Sequence, residues 1–153
     1  MKELIVAYLK KSNIEIEDSK NRIISRHIID SDIIRIGNSL KKNVSPFSRP
    51  KLYLLDRKKY GGLAHVGWNN DINEGLICEG VGENLHVDYE SPEKIYLLAL
   101  KKAVETITPV LKDKNRNKKE IIKEFAGHWK FAVTDPDKKI VINFLEPGDK
   151  FKS

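Results

Sequence analysis

The chain has 153 residues, of which 40% are hydrophobic and 33% charged, a balance typical of one globular domain with a buried core. No apolar run approaches the roughly 20 residues that a membrane helix needs, and the N-terminus lacks the cleavage site of a signal peptide. A single cysteine, Cys78, excludes an internal disulfide. We therefore expect a protein of the reducing cytoplasm that makes no membrane contact.

The net charge of +6 raises the question of a nucleic-acid partner. Much of the positive excess lies in residues 112–119, and more lies in Lys41, Lys42, Arg49 and Lys51. No nucleic-acid-binding motif accompanies these charges, so we expect no nucleic-acid partner. The run over 112–119 predicts a solvated loop, and a docking surface for an acidic protein is the alternative.

The first half of the chain predicts a helix followed by an antiparallel meander. Leu4, Ile5, Tyr8 and Leu9 recur at helical spacing within 2–12. β-Branched runs over 22–29 and 33–36, separated by three polar residues, predict a hairpin. A loop over 37–49 and a strand over 51–55 follow. Residues 56–90 carry turn signals throughout, and so long an irregular segment in a compact domain is usually functional.

The second half predicts two helices. Ser91 as a cap, Pro92 at the first helical position and Glu93 near the helix dipole announce the first helix, which Pro109 should end or kink. We expect its buried side to consist of Ile95, Leu98, Val104, Ile107 and Leu111. Asn117 and Glu120 form a capping-box-like pair that predicts the start of the second helix.

The predicted second helix has an apolar stripe, and the tail beyond it alternates as strands do. The stripe comprises Ile121, Ile122, Phe125 and Trp129. Residues 131–144 predict two short strands around an Asp-Pro-Asp turn. The predicted fold class is α+β, with an N-terminal helix, an antiparallel β-meander, a cysteine loop and C-terminal helices. We expect one domain over 1–153, in which 131–153 forms a β-hairpin extension or a linker to a further domain.

Cys78 lies in the segment Gly75-Leu76-Ile77-Cys78, within a polar and glycine-rich stretch. Such surroundings predict an exposed loop, which favours a nucleophile over a buried thiol. One thiolate is too few for the usual four-ligand zinc site. Glu74, Glu79 and Glu83 are close in sequence, and no Lys or Arg lies within ten residues. We therefore expect acidic surroundings for the thiol.

The order of helix, meander, His65-containing loop, Gly-x-Ile-Cys and helices resembles ubiquitin-conjugating enzymes. The family's His-Pro-Asn has Val66 and Gly67 in place of its proline and asparagine here, and the spacing to Cys78 is longer. These departures resemble the prokaryotic members found in antiphage cyclic-oligonucleotide operons. The resemblance covers about residues 20–130. Its motifs are Leu52-Tyr53-Leu54-Leu55, Ala64-His65-Val66, Gly75-Leu76-Ile77-Cys78, Ser91-Pro92-Glu93 and Glu124-Phe125-Ala126-Gly127-His128-Trp129.

The resemblance implies a ubiquitin-conjugating-like transferase of bacterial antiviral defence. Cys78 would receive a protein C-terminus as a thioester from an activating enzyme with a ThiF-like adenylyltransferase domain, then pass it to an amine. The cargo would be a cyclic-oligonucleotide synthase or a ubiquitin-like protein. No cofactor or metal is implied, because the activating enzyme consumes the ATP. His65 would brace the cysteine loop by hydrogen bonds through its ring, as the family's histidine does.

The oxyanion-stabilising role of the family's loop asparagine is unassigned, because Gly67 has no side chain to supply it. Asn69, Asn70 and Asn73 are candidates.

Several alternatives remain at this stage. Cys78 could be incidental in a non-catalytic interaction domain of the same fold, or it could be a redox-sensing thiol. With His65 it could form a protease dyad, and with His65 and His86 a metal site. Trp68 is a lid or a partner-contact residue. His86 with Asp88 could orient an amine or simply lie on a surface loop, whereas His27 and His128 are expected to be structural.

Overall fold

The computed structural model describes residues 1–17, 19–38, 50–67, 73–78 and 90–132, with side chains up to residue 126. Three helices and five strands follow one another within these ranges, with a 3-10 helix at Arg57–Tyr60. The helices are α1 (Lys2–Lys11), α2 (Pro92–Lys112) and α3 (Lys114–Ala132). The strands are β1 (Glu15–Glu17), β2 (Ile24–Ile29), β3 (Asp32–Asn38), β4 (Leu52–Leu55) and β5 (Glu74–Leu76).

The five strands form one antiparallel sheet in the order β1-β2-β3-β4-β5. The predicted hairpin is confirmed, because Ile29 pairs with Asp32 and Ile28 with Ile33. Its two turn residues, Asp30 and Ser31, have φ of 48° and 72°. Positive φ at both central positions is the geometry that suits a tight hairpin turn, and aspartate tolerates it well. The α+β class is therefore confirmed.

Two strands and the 3-10 helix are absent from the sequence prediction. β1 and β5 contain three residues each, which is too short for a strand period to emerge from the sequence. β5 and the 3-10 helix both lie in the segment 56–90 that was expected to be irregular. That segment therefore carries the last strand of the sheet immediately before Cys78.

The core lies between the sheet and helices α1 and α2. Ile5 and Leu9 of α1 are fully buried as predicted, but Leu4 of the same predicted face is 54% exposed. α2 buries a stripe comprising Tyr96, Ala99, Leu100, Ala103, Ile107 and Val110. Leu98 was expected in this stripe, but it is 51% exposed. The prediction is wrong because Leu98 stands two residues from Tyr96 and from Leu100, which on a helix is about 200° around the axis.

Pro109 lies inside α2 and does not end it, because the helix continues to Lys112. The proline has no N–H to donate to the carbonyl of Glu105, which is an exposed residue of the preceding turn.

The start of α3 differs from the prediction. Asp113 Oδ1 accepts the backbone N–H groups of Asn115 at 2.8 Å and Arg116 at 3.1 Å, so Asp113 caps the helix. Asn117 is therefore inside the helix and is not its cap. Residues 114–119 are helical and not the predicted loop, although most of their side chains are exposed as expected.

The chain divides into two compact units, Met1–Ile121 and Ile122–Ser153. The second unit is described only as far as Ala132. In the predicted α3 stripe, Ile121 is 37%, Ile122 58% and Phe125 45% exposed. Residues 131 and 132 end α3 and do not begin a strand. The Trp129 side chain and the rest of the predicted tail strands lie outside the described residues, so the single-domain boundary stays a prediction.

Candidate functional site

Cys78 is exposed and lies two residues after the end of β5, with Ile77 between them. Its backbone N–H donates to the carbonyl of His65 at 2.7 Å. The backbone N–H of Gly67 donates to the carbonyl of Leu76 at 2.8 Å. On the opposite side, the N–H of Ile77 donates to the carbonyl of Leu52 in β4 at 2.9 Å. The predicted exposure of Cys78 is confirmed. Its backbone, however, is an extended segment hydrogen-bonded on both sides and not a free loop.

Gly75 allows the segment around Val66 to approach residues 74–78 closely. We call these residues, β5 and the two that follow it, the cysteine strand. A Cβ on Gly75 would lie 2.5 Å from Val66 Cγ1 and would clash with the carbonyl oxygen of Gly67. Real Cβ atoms do not approach other atoms so closely, so only glycine fits here without a shift. The glycine of the Gly-x-Ile-Cys motif thus has a steric reason in this chain.

His65 lies beside Cys78 in an unusual backbone conformation. Its φ is 61°, in the left-handed region that histidine adopts more readily than most residues. The hydrogen bond from Cys78 reaches its backbone carbonyl, so bracing by His65 occurs at least through the main chain. The expected contribution of its ring stays a prediction.

A pocket of about 320 Å³ contains both His65 and Cys78. Residues of α2 and α3 complete its wall, namely Lys102, Glu105, Thr106, Pro109, Val110, Arg116 and Glu120. Two cations and two carboxylates therefore share the pocket with the thiol. Their sequence distance from Cys78 is at least 24 positions, so no local motif could have indicated them.

The expectation of acidic surroundings for Cys78 needs correction. Lys102 and Arg116 line its pocket. Glu74 instead binds the buried Arg22, with 2.7 Å between Glu74 Oε1 and Arg22 Nη1. Glu79 and Glu83 lie outside the described residues. The described pocket therefore carries charges of both signs.

Asn117 contacts the loop that precedes His65. Its Oδ1 accepts the backbone N–H of Ala64 at 2.8 Å, and its Nδ2 donates to the carbonyl of Gly62 at 2.7 Å. The sequence indicated a helix cap at this position, so this contact was missed.

The asparagines proposed for the oxyanion role are only partly described. Asn73 accepts the N–H of Arg57 through its carbonyl at 3.1 Å and that of Lys58 through Oδ1 at 2.7 Å. It therefore supports the start of the 3-10 helix and does not line the pocket of Cys78. Asn69 and Asn70 lie outside the described residues.

The other candidate residues are not brought to the pocket by any described contact. Trp68, His86 and Asp88 lie outside the described residues, and the side chain of His128 does too. His27 is in β2, where its Nε2 lies 2.9 Å from Ser25 Oγ and burial lowers the pKa of its imidazole. Within the described residues, no group of three or more His, Cys, Asp or Glu side chains is placed to hold a metal ion.

Fold and site together define an α+β domain with one exposed thiol in a pocket of mixed charge. Comparison with protein-family models, curated proteins and solved structures finds no match for the chain. None of the helices in the described ranges is both long and apolar enough to cross a membrane.

Proposed function

We propose that this chain is a ubiquitin-conjugating-like transferase that carries a protein C-terminus as a thioester on Cys78. The observation that carries the proposal is the exposed thiol of Cys78 at a pocket that it shares with His65. A carrier thiol must be accessible to two large partners in turn, and the exposure of Cys78 meets this requirement. It must also be held in one place while the acyl group is exchanged. The hydrogen bonds from Cys78 N–H to the carbonyl of His65 and from Ile77 N–H to the carbonyl of Leu52 support this second requirement.

The chemistry consists of two acyl transfers. The Cys78 thiolate attacks the thioester of an activating enzyme, forms its own thioester and releases the thiol of that enzyme, which takes up the proton. An amine then attacks the Cys78 thioester, forms an amide and returns the thiol. Neither step needs a redox partner or a metal. The driving force comes from the ATP that the activating enzyme consumes.

The charged residues of the pocket suit both substrates of the second step. Lys102 and Glu105 form an exposed ion pair with 4.0 Å between Nζ and Oε2. Glu105 and Glu120 can attract an approaching ammonium group, and Lys102 can exchange its pairing for a carboxylate or a carbonyl of the acyl donor. The proposed partners are an activating enzyme with a ThiF-like domain and a cargo protein. The cargo is a cyclic-oligonucleotide synthase or a ubiquitin-like protein. The order of helix, antiparallel sheet and helices is compatible with the conjugating-enzyme fold.

The experiment combines the chain with a ThiF-like activating enzyme, a candidate cargo protein and ATP. We expect a covalent adduct on Cys78 that a reducing thiol cleaves. Cys78→Ser should give a thiol-resistant ester or nothing. A thiol-cleavable adduct that persists in Cys78→Ala would overturn the proposal. Absence of any adduct, with the partners shown active, would favour the non-catalytic interaction domain.

A further inference from the structure

Asn117 is in the first turns of α3, where its side chain has no capping task because Asp113 caps the helix. Asparagine is a poorer helix former than alanine, since its side chain competes for backbone hydrogen bonds. Its amide here faces away from its own helix. It pairs with Ala64 N–H and with the Gly62 carbonyl at 2.8 and 2.7 Å.

One planar amide thus satisfies a donor and an acceptor on alternate residues of another segment. This two-point contact has the form that a neighbouring strand would supply. It fixes both the position and the orientation of residues 62–64. Ala64 is fully buried, so its N–H could not be satisfied by bulk water if the asparagine were removed.

The contact continues directly to the thiol. Ala64 precedes His65, whose φ of 61° turns the chain so that its carbonyl receives the N–H of Cys78. We infer that Asn117 is a positioning residue of the Cys78 site, which holds the loop that in turn holds the cysteine strand. The effect of Asn117 on acyl transfer rests on the proposed function. Its effect on the position of the Cys78 thiol does not depend on that function.

The test compares Asn117→Ala with Asn115→Ala. Asn115 is exposed on the same turn of α3, and its contact with Asp113 uses the backbone N–H, which alanine retains. Hydrogen exchange should show faster opening at Ala64 and Cys78 in Asn117→Ala only. The expected increase is up to about tenfold, the equivalent of one net hydrogen bond. Alkylation of Cys78 by iodoacetamide should change its rate in the same variant.

A third variant, Asn117→Asp, supplies a conservative rescue. Its carboxylate keeps an acceptor for Ala64 N–H but loses the donor to the Gly62 carbonyl. We expect protection of the Ala64 amide to lie between wild type and Asn117→Ala, and the rate of single-turnover discharge of a Cys78 thioester to follow the same order. A purely stabilising role would instead raise exchange across the whole sheet together and leave the alkylation rate unchanged.

Two outcomes would overturn the inference. One is exchange at Ala64 and Cys78 in Asn117→Ala that matches Asn115→Ala. The other is altered exchange with unchanged alkylation of Cys78. If wild-type protein forms no thioester, the proposed function fails. Exchange and alkylation then still decide whether Asn117 positions the thiol.

Discussion

At the scale of single residues, the hydrogen bond to the backbone carbonyl of His65 can be tested apart from the role of its ring. Its carbonyl receives the N–H of Cys78, and this bond survives any substitution that leaves the backbone in place. We predict that His65→Gln, which keeps hydrogen-bonding capacity, retains substantially more thioester discharge than His65→Ala. Single-turnover discharge from pH 6 to 9 in wild type and both variants measures this.

A general base would give a different result for the same pair. Neither glutamine nor alanine accepts a proton near neutral pH, so both variants would lose activity alike. They would also lose any inflection that the wild type shows in its pH–rate profile. That combination would show that the ring transfers protons and does not brace the loop.

His27 gives a prediction about pH and stability. Burial lowers the pKa of its imidazole in the folded protein, so the unfolded chain binds a proton more readily. The contribution of neutral His27 to stability is therefore present above the unfolded pKa of about 6.5 and is lost as the pH falls through the folded pKa. Urea unfolding of His27→Gln should show a weaker fall in stability below pH 6.5 than wild type. Identical pH dependence in the two proteins would contradict this.

At the scale of elements, α2 offers a matched pair of leucines. Leu100 is 1% exposed and Leu98 is 51% exposed on the same helix. Leu100→Ala should lower the free energy of unfolding by about 2–5 kcal/mol, because it leaves a cavity in the core. Leu98→Ala should change it by about 0.5 kcal/mol or less. Denaturant unfolding checks both values, and equal losses would mean that the helix is rotated from the position described.

Gly37 of β3 lies against the guanidinium of Arg22, and this guanidinium binds Glu74 of β5. A Cβ there would lie 2.5 Å from Arg22 Nη2 and 2.7 Å from Nε, while Nη1 of the same buried guanidinium binds Glu74. Gly37→Ala should therefore displace Arg22 and cost about 1–3 kcal/mol of stability.

Gly62→Ala is the control for this substitution, since the nearest atom to a Cβ at Gly62, Ile121 Cδ1, would be 3.9 Å away. It should change stability by about 1 kcal/mol or less, in either direction. Thermal and urea unfolding of both variants measure the difference. A neutral Gly37→Ala would show that the guanidinium has room to move without losing Glu74.

At the scale of the whole molecule, the parts visible in the sequence are those with a hydrophobic pattern or a clear helix start. α1 and the β2–β3 hairpin follow from hydrophobic patterns, β4 from a short apolar run, and the start of α2 from Ser91, Pro92 and Glu93. β1 and β5 are too short to show one. The cap of α3 was misplaced because Asp113 and Asn117 both have capping side chains, and only tertiary contact shows that Asn117 is used by Gly62 and Ala64.

The candidate site was visible in the sequence only in part. The composition around Cys78 indicated exposure, and the motif indicated His65 as its neighbour. The charged wall of the pocket comes from α2, which packs on the core, and from α3, which contacts the loop before His65 through Asn117. Lys102 and Arg116 therefore could not be assigned from local sequence, and a local count of acidic residues misjudged the surroundings of the thiol.

We propose that the pocket around Cys78 assists acyl transfer from its thiol, which an exposed thiol without such a pocket would lack. A glycine-terminated peptide thioester can load Cys78 without the activating enzyme. The same reagent can load a control thiol in the double variant Cys78→Ala/Ile28→Cys, since Ile28 is 78% exposed on β2.

Discharge of the two purified peptide thioesters to free lysine then tests the claim by mass spectrometry. We predict that the Cys78 thioester reacts at least about tenfold faster than the control, because groups positioned around a reacting centre assist the attack and an open surface does not. Equal rates of discharge from the two thiols would contradict the account.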